Sequence, residues 1–186
     1  MRIDTVPNRI TGARLVLSVG LFWILAFGPA VGSESARWAF AAFLVAAATD
    51  FLDGWLARRT GTESALGRIL DPVVDKMLII GSLILVMGLE PAPPIAGWMV
   101  VVVLLRELLV TSLRGAAETA GKAFPADQLG KAKMVLQCVV VGLVLFQHGW
   151  PGTLAGFTGP LVWAMLAVTL FSGGNYVLRA HKVLSG

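Results

Sequence analysis

The chain has 186 residues, 56% of them hydrophobic and only 14% charged, with a mean hydropathy of +0.79. A soluble domain of this length needs a more polar surface, so the composition excludes an ordinary water-soluble enzyme and points to an all-α integral membrane protein. Net charge is +4, but the basic residues lie between apolar runs, which favours membrane lipids and substrate phosphates as partners and argues against nucleic acid.

The opening MRIDTVPNRITGAR reads as a cytoplasmic juxtamembrane segment over 1–14. Pro7 or Asn8 is placed to open a short N-terminal interfacial helix, with Arg9 and Arg14 reaching lipid headgroups. A cleaved leader over residues 1–32 is the rival reading, and it would leave five spans. A helix needs about 20 apolar residues to cross the hydrocarbon. On that criterion the chain holds six transmembrane helices within 15–177, at 15–31, 38–57, 68–89, 95–114, 131–149 and 155–177, followed by a cytoplasmic tail over 178–186. Turn-forming stretches separate them: GPAVGSES, RRTGTESALG, EPAPP, the polar run from Arg114 to Lys131, and HGWPGTLAG. No internal repeat or soluble domain interrupts residues 1–186, which read as one membrane domain.

Six spans place both termini on one side. Fourteen of the fifteen Lys and Arg residues fall on that side, and only Arg37 lies opposite. Basic residues concentrate on the cytoplasmic face, so a multi-pass protein of the inner (cytoplasmic) membrane with cytoplasmic termini is expected. The single cysteine, Cys138, excludes an intrachain disulfide and reads as a small packing residue.

Between the second and third spans lies DFLDGWLARRTGTESALGRILDPVVDK, residues 50–76. Asp50, Asp53, Gly54 and Ala57 follow the spacing of one helical face, and Gly67, Asp71 and Asp75 recur every four residues. At a rise of about 1.5 Å per residue, Asp50 and Asp75 lie roughly 12 Å below their helix ends, with Asp53 and Asp71 shallower. If the two stripes face each other, four carboxylates converge in a pocket open to the cytoplasm. Taken singly, each aspartate could pair with Arg58, Arg59, Arg68 or Lys76. Four together would repel or protonate, and divalent cations resolve that conflict. All-oxygen ligation favours Mg²⁺ first and Mn²⁺ second, and two ions about 3.5–4 Å apart suit phosphoryl chemistry. The same carboxylates could serve a cation channel, but AFAAFLVAAAT and MLIIGSLILVM offer no polar path beyond them.

As a pattern, the stretch is D-x2-D-G-x2-A-R-x8-G-x3-D-x3-D, eight specified positions over 26 residues. It resembles the signature of the CDP-alcohol phosphotransferase family with every position filled. The resemblance implies transfer of a substituted phosphate from a CDP-linked donor to an alcohol, with release of CMP. It makes Asp50, Asp53, Asp71 and Asp75 the ligands of two metal ions and Asp75 the general base as well. It associates Asp53, Gly54, Ala57, Arg58 and Gly67 with the CDP moiety, and it implies a homodimer.

Weaker likenesses point to one branch of that family, the phosphatidylglycerophosphate synthases. Asn8, Thr11 and Arg14 fit an N-terminal N-x2-T-x2-R pattern and become candidate substrate contacts. RELLVTSLRG is similar to a segment of those synthases that opens on R-E and closes on L-R, giving Arg106, Glu107, Ser112 and Arg114, although Leu105 and Gly115 depart from the usual flanking residues. GKAKMVLQ is similar to G-K-x-K-x3-Q, giving Lys131, Lys133 and Gln137, and SGGNY near the end also fits the group. The branch implies CDP-diacylglycerol as donor and glycerol 3-phosphate as acceptor, with inositol phosphate or another small alcohol as alternatives. A dianionic phosphate needs cationic partners, and Arg106, Arg114, Lys131 and Lys133 are the candidates. Arg106 and Glu107 could instead form a structural ion pair. His148 and His181 have no His or Cys at metal-ligand spacing, and no P-loop or nucleophile elbow occurs.

Overall fold

The computed structural model describes residues 6–28, 32–60, 65–122, 128–154 and 156–185, with the backbone course alone for 6–10, 50–60, 65–69, 71 and 183–185. Among these residues there are six α-helices and no strand: α1 (Val6–Phe27), α2 (Ser33–Thr60), α3 (Ala65–Val86), α4 (Gly97–Thr119), α5 (Gln128–Gly149) and α6 (Thr158–Ser185). Each overlaps one of the six apolar segments expected from the sequence. Among the described residues, Gln128–Gly149 in α5 and Thr158–Lys182 in α6 are long and apolar enough to cross a membrane, and α1 contributes a shorter apolar stretch over Thr11–Phe27.

One expectation is corrected at the N-terminus. Val6–Phe27 is a single helix, so no separate interfacial helix precedes the first apolar segment among the described residues. Pro7 sits in the first turn, where its missing N–H removes no internal hydrogen bond, and nothing in NRITGARL stops the helix that follows. α6 likewise continues to Ser185, through the residues assigned to a tail.

The chain packs as two compact units, Met1–Pro93 with Val141–Ala155, and Pro94–Val140 with Gly156–Gly186. In the first unit α1 packs against both α2 and α3. Its buried stripe is Thr11, Arg14, Ser18, Leu21 and Leu25, a spacing of three and four residues that is polar toward the N-terminus and apolar beyond. Ser18 Oγ donates to the Arg14 carbonyl at 2.8 Å, so its hydroxyl is satisfied within the helix. On α2 the buried stripe is Ala36, Ala39, Phe43 and Ala46, and the same spacing continues to positions 50, 53 and 57. α3 buries Val74, Leu78, Ser82, Leu83 and Val86. Gly81 permits close approach to α1, because a Cβ there would stand 2.4 Å from Phe22 Cζ.

At the far end of this unit, the last turns of α5 meet the start of α2. The Arg37 Nε donates to the Gly149 carbonyl at 2.8 Å, and its guanidinium lies 5.3 Å from the Trp150 ring centre. Phe40 contacts the edges of Phe146 and Trp150, which stack on each other at 4.8 Å. His148 belongs to this structural cluster, with its ring nitrogens 2.8 Å from the carbonyls of Val144 and Pro91.

In the second unit α4 packs against α6. Trp98 lies 6.1 Å from Trp163 near the helix starts, and Arg114 lies 5.8 Å from the Tyr176 ring toward their ends, so the two helices run parallel. The interior holds Met99, Val103, Val110, Val162, Met165 and Leu166, with Arg106, Glu107, Lys133 and Tyr176 also buried.

Candidate functional site

The aspartate signature lies on two continuous helices. α2 stays helical through Thr60 and α3 begins at Ala65, so positions 50, 53, 54 and 57 and positions 67, 71 and 75 have the helical spacing assumed from the sequence. The side chains of Asp50, Asp53, Ala57, Arg58 and Asp71, and the surroundings of Gly54 and Gly67, lie outside the described residues, as does the side chain of Asn8. Pro72 stands inside α3 between Asp71 and Asp75. Lacking an N–H, it cannot bond the carbonyl of residue 68, and one backbone acceptor in this turn is released.

Asp75 is the described member of the set. Its carboxylate accepts from Arg14 Nη1, across the contact between α1 and α3. The Arg14 side chain is only 1% exposed, whereas that of Asp75 is 33% exposed. Arg14 therefore does not reach lipid headgroups, as its position near the N-terminus suggests; α1 carries it inward on the stripe that also buries Thr11. A guanidinium buried this fully needs an anionic partner, and Asp75 supplies one while keeping part of its own surface open.

A second polar cluster forms in the other unit. Arg106 Nη1 donates to Glu107 Oε1 at 3.1 Å, and Lys133 Nζ donates to the same oxygen. Arg106 Nη2 donates to Ser172 Oγ on α6. The guanidinium of Arg106 lies 5.4 Å from the centre of the Tyr176 ring, and that of Arg114 lies 5.8 Å from the same ring. The Arg106–Glu107 ion pair entertained from the sequence is present, and Lys133 extends it to a buried triad.

Of the four cations assigned to an acceptor phosphate, the fold brings Arg106, Arg114 and Lys133 into one cluster. Lys131 is exposed on α5, two residues before buried Lys133 and so on a different side of the helix. Ser112 is exposed too, while Gln137 is 2% exposed. The Nε atoms of Arg106 and Arg114 and the Nε2 of Gln137 are buried without a hydrogen-bond partner. Unpaired buried donors are costly, and each of these three is a position where a ligand oxygen would supply an acceptor. Sequence reasoning singled out neither Ser172 nor Tyr176; the SGGNY segment that contains them was their one signal.

Among the described residues no group of three or more His, Cys, Asp and Glu side chains is arranged to hold a metal ion. Three of the four signature carboxylates fall outside those residues. The donor chemistry of the set, carboxylate oxygen throughout, fits hard divalent cations.

Each unit of this apolar helical chain thus buries one polar centre, and that of the first unit carries an aspartate of the signature. The family model described as CDP-alcohol phosphatidyltransferase matches residues 4–171, and the chain belongs to that family. It is 34% identical to the CDP-diacylglycerol–glycerol-3-phosphate 3-phosphatidyltransferase of Bacillus subtilis, over 96% of both chains. It is 31% identical to a Rickettsia bellii protein of the same name, over 98% of this chain and 99% of the relative. It is also 32% identical to a cardiolipin synthase (CMP-forming) of Streptomyces coelicolor, over 98% of this chain and 86% of the relative.

Proposed function

We propose that this protein transfers the phosphatidyl group of CDP-diacylglycerol to glycerol 3-phosphate, giving phosphatidylglycerophosphate and CMP in phospholipid biosynthesis. The observation that carries the proposal is the complete eight-position signature on α2 and α3, in a chain similar over 96% or more of its length to transferases named for this reaction. All six helices cross the inner membrane in this reading, with both termini and the active site cytoplasmic, and the protein works as a homodimer.

The acceptor hydroxyl attacks the phosphorus that carries diacylglycerol, Asp75 takes the hydroxyl proton, and the bond from that phosphorus to CMP breaks. Arg14 holds the Asp75 carboxylate in place for this transfer. Arg58 stabilises charge on the departing CMP, and Asp53, Gly54, Ala57 and Gly67 bind the CDP moiety. Asp50, Asp53, Asp71 and Asp75 hold two Mg²⁺ or Mn²⁺ ions, whose chemistry is neutralisation of the diphosphate and polarisation of the reacting phosphorus. No covalent enzyme intermediate is needed, so displacement is single.

Arg106, Arg114 and Lys133 receive the phosphate of glycerol 3-phosphate, and Lys131, Asn8, Thr11 and Arg14 remain candidate substrate contacts. Three cations against the one carboxylate of Glu107 leave two positive charges, which suits a phosphate dianion. A second reading keeps the donor chemistry but changes the acceptor to another alcohol, and the Streptomyces relative named as a cardiolipin synthase favours it.

The test is CMP release by purified protein with CDP-diacylglycerol and Mg²⁺, comparing glycerol 3-phosphate, inositol 1-phosphate, a lipid alcohol and no acceptor. Turnover with glycerol 3-phosphate alone, abolished by chelation and restored by Mg²⁺ or Mn²⁺, is expected. Turnover with another acceptor alone would retain the transferase and overturn the acceptor assignment. Metal-ion flux without CMP release would support a channel instead.

A further inference from the structure

The α6 side of the Arg106 cluster has no role in the chemistry described so far. Ser172, Gly173 and Tyr176 lie on consecutive turns of α6, beyond the residues that the family model matches. All three are buried, and all three touch Arg106. Ser172 Oγ accepts from Arg106 Nη2. Gly173 leaves room for the arginine stem, because a Cβ there would stand 3.0 Å from Arg106 Cγ. Tyr176 presents its ring to Arg106 at 5.4 Å and to Arg114 at 5.8 Å.

The ring quadrupole attracts both guanidiniums, and that attraction offsets part of the repulsion between them. Arg106 and Arg114 are eight residues apart on α4, or roughly 12 Å along its axis. Tyr176, 3% exposed, is a rigid buried contact common to both. Each arginine keeps its Nε buried and without a hydrogen-bond partner. The pair is therefore held in place by α6 while donors remain for a ligand, as expected of a preorganised anion site.

We propose that Tyr176, supported by Ser172 and Gly173, is the positioning residue that holds Arg106 and Arg114 as a pair and thereby sets affinity for the phosphate of the acceptor. The proposal rests on the assignment of that cluster to the acceptor phosphate. Tyr176 does not touch the reacting atoms; it acts through the arginines. Its loss is felt in acceptor binding and leaves donor binding and the chemical step alone.

The test is steady-state CMP release by the full-length protein in mixed micelles, varying glycerol 3-phosphate and CDP-diacylglycerol separately. Tyr176→Leu is expected to raise KM for glycerol 3-phosphate about tenfold, the loss of two partly desolvated cation–π contacts. Its kcat and its KM for CDP-diacylglycerol stay within about twofold of the parent, the signature of lost acceptor binding. Tyr176→Phe, which keeps the ring face, recovers most of the acceptor affinity. Gly173→Ala crowds the Arg106 stem and raises the acceptor KM while leaving the ring in place, and it decides the matter if Tyr176→Leu does not fold. Arg106→Lys separates the two assignments. If it raises the acceptor KM while Tyr176→Leu and Gly173→Ala do not, α6 has no positioning role and the phosphate site stands. If none of the three changes the acceptor KM, the phosphate assignment fails and the role of Tyr176 fails with it.

Discussion

Replacing Arg14 by Met removes the guanidinium that Asp75 accepts from and retains a long side chain in the same space. Breaking a buried ion pair costs about 3–5 kcal/mol, whereas exposed pairs contribute about 0–1 kcal/mol. Arg14 is 1% exposed and Asp75 33%, so the pair falls between these limits. We expect a loss of about 2 kcal/mol, or a fall in Tm of about 4–8 °C for a chain of this size. Asp75→Asn should cost more, about 3 kcal/mol, because it leaves the buried Arg14 guanidinium beside an uncharged amide. The double variant then measures the coupling between the two positions, expected at about 0.5–3 kcal/mol. Thermal unfolding in one detergent, at one lipid content, provides all four values. CMP release by the same samples should fall about 10²–10⁴-fold in Asp75→Asn, the usual contribution of a general base. Arg14→Met should lower kcat by a smaller factor, since the carboxylate is present but no longer held. Strictly additive Tm changes would show that the pair has no energetic meaning. Full kcat in Asp75→Asn would remove this residue from the chemistry.

Glu107→Gln leaves Arg106 and Lys133 buried beside an uncharged amide and should lower stability by about 3 kcal/mol, read as a fall in Tm; an unchanged Tm would mean that the triad is not buried in the folded protein. Gly81→Ala forces Phe22 out of its place on α1 and should cost about 1–3 kcal/mol by overpacking, with the same thermal assay as the check. Lys131→Ala, at an exposed position, should alter the acceptor KM far less than Lys133→Ala does, and a salt titration of both rates would expose any purely long-range contribution from Lys131.

The number and order of the helices were legible because each apolar run ends at Gly, Pro or a charged cluster, and such breaks act locally on the backbone. The placement of the aspartates at helical spacing was legible for the same reason: periodicity along one helix depends on its own residues alone. Position 14 misled because proximity to the N-terminus suggested the membrane surface, whereas the α1 stripe that faces α2 and α3 carries it inward. The separate N-terminal helix was wrong because Pro7 in a first turn starts a helix without marking its end. Arg106, Glu107 and Lys133 could be nominated from their neighbourhood in the chain, and the Arg106–Glu107 pair with them, but the bond from Lys133 to Glu107 could not.

The amino-acid sequence by itself determined that this is an all-helical chain with four aspartates on two successive helices and a strong bias of basic residues, since these are properties of composition and local spacing. Only the tertiary structure decided that Arg14 pairs with Asp75, 61 residues away, and that Arg106 reaches Ser172 across 66 residues. Such pairings depend on which faces of distant helices pack together and how far each is shifted along its neighbour. Those relations come from the summed packing of many side chains, Phe22 against Gly81 and Arg106 against Gly173 among them, and no single segment encodes them.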